Sequence, residues 1–398
     1  MSRVAANTPH VAIACGGTGG HLFPGVAVAE QLVARGCEVS LLISPKEVDQ
    51  QAVKSARGVK VLTLPAVALQ HGSRLAFAFG FWKSLRAAKK LFRENPPHAV
   101  LAMGGFTSAP PILAARSAGA KTFLHESNTI PGRANRWLAR RVDQAFVGFP
   151  QAAARLHARE TTVTGTPVRA EFRPRDRAGS RAALKLDPAK PVVLVMGGSQ
   201  GASGINDLII AALPQFAARA PECQWLHLAG SYDLEKVKRA YASHGMTAQV
   251  HAFLSEMDLA LGAANVAVSR AGASSLAEIA AVRVPSVLMP FPQAADDHQL
   301  HNAKAFAETG AALLLEQRTA TPEKTVSLIG ELLENPTAHK KIQTALVQWH
   351  VPKAAEQIAE TILAALPEHF RAAAVSSPSP RSAVAATGVN TLNLKVVA

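Results

Sequence analysis

Val11-Ala-Ile-Ala-Cys-Gly-Gly-Thr-Gly-Gly-His21 and Val192-Val-Leu-Val-Met-Gly-Gly-Ser-Gln-Gly-Ala202 decide the fold. Each is an apolar run that ends in a glycine loop and passes into helix-period sequence. Strands that lack polar alternation are buried on both faces, as in a parallel sheet covered by helices. The pattern continues outward from both segments. Apolar runs fall at 11–14, 38–43, 60–64, 99–103, 121–124, 144–147 and 162–164, then at 192–196, 224–228, 249–252, 266–269, 286–289 and 312–315. Two open α/β sheets are expected, as Rossmann-like copies whose openings lie about 180 residues apart. Between them, 165–191 is polar, basic and rich in Pro and Gly, and reads as a linker with an exposed leading segment. Past Phe370 the sequence loses its period and reads as a mobile tail.

The 398 residues are 48% apolar and 18% charged, enough for a large core and two domains. Cys15, Cys37 and Cys223 form neither a disulfide framework nor a zinc-ligand pair, which points to a reducing compartment. The first apolar run is too short for a signal peptide, and no apolar stretch approaches the ~18 residues of a spanning helix. A cytosolic protein is expected, free to lie on a membrane. The formal charge is +14, with 27 basic against 11 acidic residues in 1–200 and 15 against 17 in 201–398. An anionic partner for the first half follows, as nucleic acid, acidic lipid or a phosphorylated substrate; simple solubilisation is the bland alternative.

In Gly16-Gly-Thr-Gly-Gly-His21 the missing Cβ atoms let backbone approach a ligand, while the next helix offers unpaired N–H groups. The loop is neither a Walker A nor a dinucleotide fingerprint. Tight strand-to-helix turns need glycine in any case, but a second loop at Gly197–Gly201 weakens that purely structural reading. Gly104-Gly105 forms a third. Ligands of open α/β sheets bind beyond the carboxyl ends of strands, so all three loops are expected to face one cleft. His125-Glu-Ser-Asn128 is placed after a strand, with Asn135 two helical turns on. Arg169 is a candidate phosphate clamp or simply a solvated arginine. Ser269 to Glu278 forms another strand, turn and helix start, where Glu278 either favours a helix N-terminus or accepts two ribose hydroxyls. Capping accounts for Asp296 and Asp297, leaving Gln299 to be explained. No D-x-D occurs, so helix N-termini and Arg169 must meet any diphosphate charge without a metal.

These motifs in order resemble the MurG family of UDP-N-acetylglucosamine transferases: Gly16 to Pro24, Met103 to Phe106, His125 to Asn128 with Pro131-Gly132 and Asn135, Gly165 to Arg169, Gly197 to Ala202, Arg270 to Glu278 and Asp297 to Gln299. The resemblance spans about 10–365. It implies a GT-B fold, two Rossmann-like parallel-sheet domains facing across a cleft. The first, 1–168, would take the acceptor and face the membrane; the second, 169–345, would bind UDP-GlcNAc. A C-terminal helix within 346–370 would pack back toward the first domain, leaving 371–398 as the tail. The implied reaction is inverting transfer of N-acetylglucosamine from UDP-GlcNAc to the 4-hydroxyl of the muramoyl sugar of lipid I, forming lipid II, with no cofactor and no metal. By the same similarity the donor contacts fall on Thr18, Gly19, Gly20, Asn128, Arg169, Ser199, Leu254, Ala273, Ser274, Ser275, Leu276, Ala277, Glu278 and Gln299. Ser127, Thr166 and Ser275 depart from the family's common Gln, Asn and Thr, and the insertion around 173–190 is unusually basic.

Inverting displacement needs a base for the acceptor hydroxyl. His21 is the first candidate, because imidazole titrates near working pH, and Glu126 the second; the alternative for His21 is a hydrogen bond to the loop or a phosphate. A polyprenyl acceptor requires work at a bilayer, on its cytoplasmic face, as a peripheral protein. Phe81, Leu85, Ala88 and Phe92 form a helical stripe flanked by Lys83, Arg86, Lys90 and Arg93. Leu75, Phe77 and Phe79 are expected to touch anionic lipid, with the later Phe residues in the core. Rival readings are another GT-B lipid glycosyltransferase, a UDP-GlcNAc epimerase, or a basic nucleic-acid-binding protein. Two tyrosines and no recognisable module argue against nucleic acid as a partner.

Overall fold

The computed structural model describes residues 8–17, 19–46, 53, 56–65, 74–198 and 201–370. The chain divides into two compact units, Met1–Arg169 with Pro352–Ala398, and Ala170–Val351. The tail 371–398, together with Thr18 and Ser199, lies outside the described residues.

The first unit is built on seven strands: β1 (His10–Ala14), β2 (Glu38–Ile43), β3 (Lys60–Thr63), β4 (Ala99–Ala102), β5 (Lys121–Glu126), β6 (Gln144–Val147) and β7 (Thr161–Val163). They pair in the order 3-2-1-4-5-6-7, all parallel. β1 is buried along its whole length, as its unbroken apolar run requires. Its alternate side chains enter two cores. Val11 and Ile13 pack with the helices Gly19–Ala34 and Ala354–Ala364, while Ala12 and Ala14 face a core that includes Ala88 and Phe92 of the helix Arg74–Glu94.

The second unit has six strands: β8 (Val192–Met196), β9 (Gln224–Leu228), β10 (Ala248–His251), β11 (Val266–Ser269), β12 (Ser286–Leu288) and β13 (Leu313–Leu314). Their order is 10-9-8-11-12-13, again all parallel. The two parallel α/β sheets are those expected from the apolar runs. In each sheet the order reverses between the first strand and its later neighbour, β1 beside β4 and β8 beside β11. Both glycine loops therefore leave their sheets at a topological switch point, where helices diverge to opposite faces and leave room for a ligand.

One strand departs from the sequence expectation with a functional consequence. β5 runs on to Glu126, because His125 pairs with Phe146 and Glu126 with Val147 of β6. His125 and Glu126 thus belong to the buried strand instead of following it.

The helix Ala354–Ala364 lies on the helix Gly19–Ala34, and Ile358 is fully buried in their shared core. Ile358→Ala should cost about 2–5 kcal/mol by leaving a cavity. Hydrogen exchange should accelerate in β1 and the helix Gly19–Ala34 with β8 unchanged, and acceleration spread equally over both sheets would contradict this packing.

Candidate active site

In the first unit, the turn after β1 is shaped by its neighbours. A Cβ on Gly16 would fall 2.4 Å from Ser44 N, and Gly17 holds φ at 118°, so neither position tolerates a side chain without moving backbone. Thr107 Oγ1 donates to Gly16 O at 2.7 Å, and Lys46 Nζ donates to Gly17 O at 3.1 Å. Gly19 and Gly20 are the first residues of a 16-residue helix whose first turn carries no acid. No carboxylate of its own first turn offsets its positive end.

His21 lies on the turn after β4. A Cβ on Gly104 would come within 2.8 Å of His21 Cε1 and 3.2 Å of Asn135 Nδ2, and Gly105 is 3.7 Å from the other edge of the ring by the same measure. The imidazole therefore seats against the Gly104–Gly105 backbone at a distance only glycine permits. Ser108 Oγ fixes this turn, donating to Gly104 O at 2.7 Å and lying 3.1 Å from Ala14 O.

Behind His21 is a buried polar box at the end of β5. Glu126, 1% exposed, uses both carboxylate oxygens: Oε1 accepts from Asn128 N (2.8 Å) and Nδ2 (3.1 Å), and Oε2 from Gly132 N (2.9 Å) and Asn135 Nδ2 (2.8 Å). Four donors tie the loop 128–132 and the helix Arg133–Ala139 to the strand. A carboxylate so engaged holds its neighbours in place, with both oxygens occupied inside the unit. His125, fully buried, donates from Nε2 to Gly165 O at 3.1 Å and accepts at Nδ1 from Ser127 Oγ at 3.2 Å. Burial pushes its pKa down to about 4, opposed by the Gly165 bond and assisted by the charge of His21. Arg169, at the end of the unit, lays its guanidinium 4.4 Å over the Phe23 ring. That ring lies 3.4 Å from where a Gly19 Cβ would sit, so the arginine is stacked beside the same helix start.

In the second unit, Gly197 would drive a Cβ to 2.5 Å from Ala202 N, and Gly201, at φ 76°, to 2.3 Å from Ala229 O. The loop presses onto β9's end and leads into the helix Ser203–Arg219. A network missed by sequence reading supports it. Asn206 Nδ2 donates to Ala229 O and to Asp233 Oδ2, both at 2.9 Å, and Asn206 Oδ1 accepts from His227 Nε2 at 2.9 Å. Tyr241 Oη donates to His227 Nδ1 at 3.1 Å. Burial holds the His227 pKa down at about 3. The available signal was an asparagine on an otherwise apolar helix face with Ile205, Ile209 and Phe216.

At the end of β11, Arg270 is buried and donates to Met289 O (3.0 Å), Pro290 O (3.2 Å) and Gln317 Oε1 (2.8 Å). Burial lowers it to about 10, still charged at neutral pH. Ala273, Leu276 and Ala277 are buried in the helix Ala273–Val282, while Ser274, Ser275 and Glu278 are half-buried, with Glu278 in the second turn. Gln299 accepts at Oε1 from Phe291 N at 3.0 Å, anchoring the loop that follows β12. Asp296 and Asp297 both adopt left-handed backbone, φ 52° and 50°, and Asp297 makes no side-chain cap to the helix His298–Glu308. The capping expectation for Asp297 fails because an N-cap needs extended backbone to aim its carboxylate at the helix. Leu254, half-buried, follows the edge strand β10, two strands from β8. Gly197, Arg270, 273–278 and Gln299 thus follow the carboxyl ends of β8, β11 and β12, and Leu254 follows that of β10 at the sheet's edge. No group of three His, Cys, Asp or Glu among the described residues could hold a metal.

The helix Arg74–Glu94 exposes Leu75 (85%), Phe79 (66%) and Trp82 (53%). Phe81 and Leu85 pack on the core, with Ala88 and Phe92 buried. Phe77 is half-buried and edge-on to Phe106 at 5.4 Å, so it is less free than expected. Trp82 joins the patch instead, three residues from Phe79 on the same face and stacked with it at 6.2 Å. Lys83, Arg86, Lys90 and Arg93 are exposed around it, and Arg86 stands 5.4 Å over the Trp82 ring. No helix among the described residues is long and apolar enough to cross a membrane.

Comparison with known proteins gives consistent matches. Residues 11–147 match the glycosyltransferase family 28 N-terminal domain and residues 192–358 the family 28 C-terminal domain. The chain is 35% identical, over 83% of its length and 92% of the relative's, to a protein of Citrifermentans bemidjiense named UDP-N-acetylglucosamine--N-acetylmuramyl-(pentapeptide) pyrophosphoryl-undecaprenol N-acetylglucosamine transferase. A protein of the same name from Syntrophus aciditrophicus is 34% identical over 90% of this chain and 99% of its own. Among solved structures, MurG of Acinetobacter baumannii superposes with a TM-score of 0.69 at 30% identity, covering 89% of this chain and 99% of that one.

The buried rings of His125 and His227 make a pH prediction. Unfolded, each binds its proton at the ordinary value of 6.5; folded, each stays neutral down to about 4 and about 3 respectively. Below pH 6.5 the unfolded chain takes up protons the fold refuses, so stability falls with pH. His125→Asn should remove a contribution on the order of 3 kcal/mol to the change in urea-unfolding free energy between pH 7 and pH 4. An unchanged pH slope would show that His125 is not held neutral.

Proposed function

This chain belongs to the MurG family of family 28 glycosyltransferases, and on that premise we infer which of its residues carry the reaction. It transfers N-acetylglucosamine from UDP-N-acetylglucosamine to lipid I, giving lipid II for peptidoglycan synthesis. The muramoyl 4-hydroxyl oxygen forms its bond to the anomeric carbon as the bond from that carbon to the diphosphate oxygen breaks. The hydroxyl proton leaves to a base, and UDP departs with increased charge on its terminal phosphate.

The observation that carries our assignment is the seating of His21 on Gly104–Gly105 at the start of an acid-free helix. This places a half-buried imidazole beside N–H groups suited to a diphosphate, and we take His21 as the proton acceptor. Glu126 acts as a positioning residue: it orients Asn128 and Asn135, and through Asn135 the turn under His21. Arg169, stiffened against Phe23, adds a fixed positive charge beside Gly19 and Gly20, with Thr18 in the same loop. In the second unit, Ser199 and the helix start after Gly201 meet the donor diphosphate. The segment from Ala273 to Glu278 takes the nucleoside, with Ser274 and Ser275 as hydroxyl donors and Glu278 accepting the ribose hydroxyls, while Leu276 and Ala277 pack the helix beneath. Gln299 braces the loop at Phe291, and Leu254 contributes an apolar edge. The diphosphate's charge is met by backbone dipoles and a guanidinium, with no divalent cation in the scheme.

For the membrane, we read Leu75, Phe79 and Trp82 as an apolar wedge and the surrounding Lys83, Arg86, Lys90 and Arg93 as its electrostatic grip on anionic lipid, at the cytoplasmic face where nucleotide sugars are found.

Incubation with UDP-GlcNAc and a lipid I analogue, scoring UDP and disaccharide together, tests the reaction. His21→Ala should lower kcat by about 100-fold or more with the donor KM unchanged; near-normal turnover removes His21 as base. Glu126→Gln should instead destabilise the fold by about 1–3 kcal/mol, since its amide cannot accept from Gly132 and Asn135. In flotation assays, the double variant Phe79→Ser with Trp82→Ser should lose binding to anionic vesicles. Binding that ignores both the variant and the lipid charge contradicts the wedge.

A further inference from the structure

None of the residues assigned to the transfer falls in the basic insertion around 173–190, and the structure gives that segment a definite place. Its helix Arg177–Ala183 packs on the helix Met257–Ala263, at a contact so close that a Cβ on Gly262 would lie 2.7 Å from Ser180 Oγ and 3.3 Å from Arg175 Cδ. Together with the helix Pro336–Leu346, these elements border an open-sided cavity of about 310 Å³, where Arg175, Arg177, Arg283 and Lys340 stand around an apolar wall that includes Leu261 and Val284. We propose that this cavity is a binding site for a phosphoryl anion, separate from the donor site.

Its position in the fold separates the two. Ala264 and Val284, which line the cavity, lie just before β11 and β12, at the amino ends of those strands. Gly197–Gly201 and Arg270 lie past the carboxyl ends of β8 and β11. Four residues of β11, at ~3.3 Å each, put roughly 13 Å of sheet between the two ends.

Charge identifies the ligand. Arg175 is paired with Asp258, whereas Arg177, Arg283 and Lys340 make no ion pair with any described residue. Behind them Arg181 is buried, with its donors spent on neutral oxygens: Ala263 O at 3.1 Å, Pro188 O at 2.9 Å and Asn265 Oδ1 at 2.6 Å. Burial, then the neighbouring charge of Arg177, pushes Arg181 below its ordinary value against the opposing pull of Asp176 and Asp187, and burial lowers Arg177 as well. His339 is held down by burial and by both Arg177 and Lys340, and His350 by burial and Arg283. The cations therefore converge on one region and repel one another, a cost that a bound anion offsets. Two guanidinium forks and an ammonium match the several oxygens and double charge of a phosphoryl group better than a single carboxylate. Arg283 adds a second indication. It caps the helix Ala273–Val282 in left-handed backbone at φ 62°, where glycine would be unstrained, so the chain places a long cation at a position that disfavours any side chain.

Inorganic diphosphate and vesicles of phosphatidylcholine with phosphatidic acid are the two probes, used on the full chain and on the double variant Arg177→Gln with Lys340→Gln. Calorimetry should give diphosphate binding that the variant weakens at least tenfold, and diphosphate should protect 175–183 and 340–347 from hydrogen exchange. Such a result assigns a soluble ligand. A loss in the variant confined to phosphatidic acid vesicles assigns a lipid headgroup and equally supports the site. The variant should retain wild-type transfer of N-acetylglucosamine, which shows it folded and keeps this test independent of the donor assignment. Equal binding of both probes by wild type and variant, or binding of neither, overturns the proposal.

Discussion

Both units depend on backbone approaching backbone at the end of a buried parallel strand. A helix can offer its free N–H groups beside a strand end only if the turn occupies almost no volume, and at Gly16, Gly197 and Gly201 a single Cβ would meet main-chain atoms at 2.3–2.5 Å. The requirement is steric before it is chemical. Once met, it also supplies chemistry, because the same uncovered backbone is what an anion binds. At Gly104 the absent Cβ admits a side chain instead, and the space it leaves is filled by the His21 ring.

Turns of this kind are stiff only when something behind them is stiff, and each unit solves that with a buried polar network. In the first, Glu126 and His125 have their hydrogen-bonding groups met by backbone, Asn128, Asn135 and Ser127. In the second, Asn206 links His227, Asp233 and Ala229 beneath Gly201. Buried polar groups are costly when half-satisfied and rigid when fully satisfied. Desolvation keeps both histidines neutral, so each serves as a fixed donor and acceptor, unlike a solvent-facing imidazole that changes charge near neutrality.

The surplus positive charge is divided by environment. Along the helix Arg74–Glu94 it borders exposed Leu75, Phe79 and Trp82, where charge and apolar surface together suit an interface. Around 173–190, Arg175 and Arg177 border an open-sided cavity with Arg283 and Lys340, whose wall also carries Leu261, Val282 and Val284. The same residue types thus face two physical settings, one a convex amphipathic helix face, the other an open-sided cavity where cations border an apolar wall.

The apolar runs and the glycines that end them were sufficient to foresee two parallel α/β units, since burial on both faces and tight turns leave local marks in composition. The strands fell within a residue or two of their expected bounds. Local pattern carried no information on strand order. That β4 lies against β1, pairing Ala99 with Val11, depends on contacts across most of a domain, and this adjacency is what brings His21 onto Gly104. Nor could spacing reveal that β5 draws His125 and Glu126 into the sheet, that Asp297 is unable to cap, or that Asn206 meets His227. Sequence by itself determined which segments would be strands, helices and glycine turns, because those choices follow from hydropathy and backbone freedom over a few residues. Tertiary structure alone decided which polar groups are spent on holding the fold and which remain open to a ligand, because hydrogen-bond satisfaction and desolvation are properties of neighbours distant in the chain.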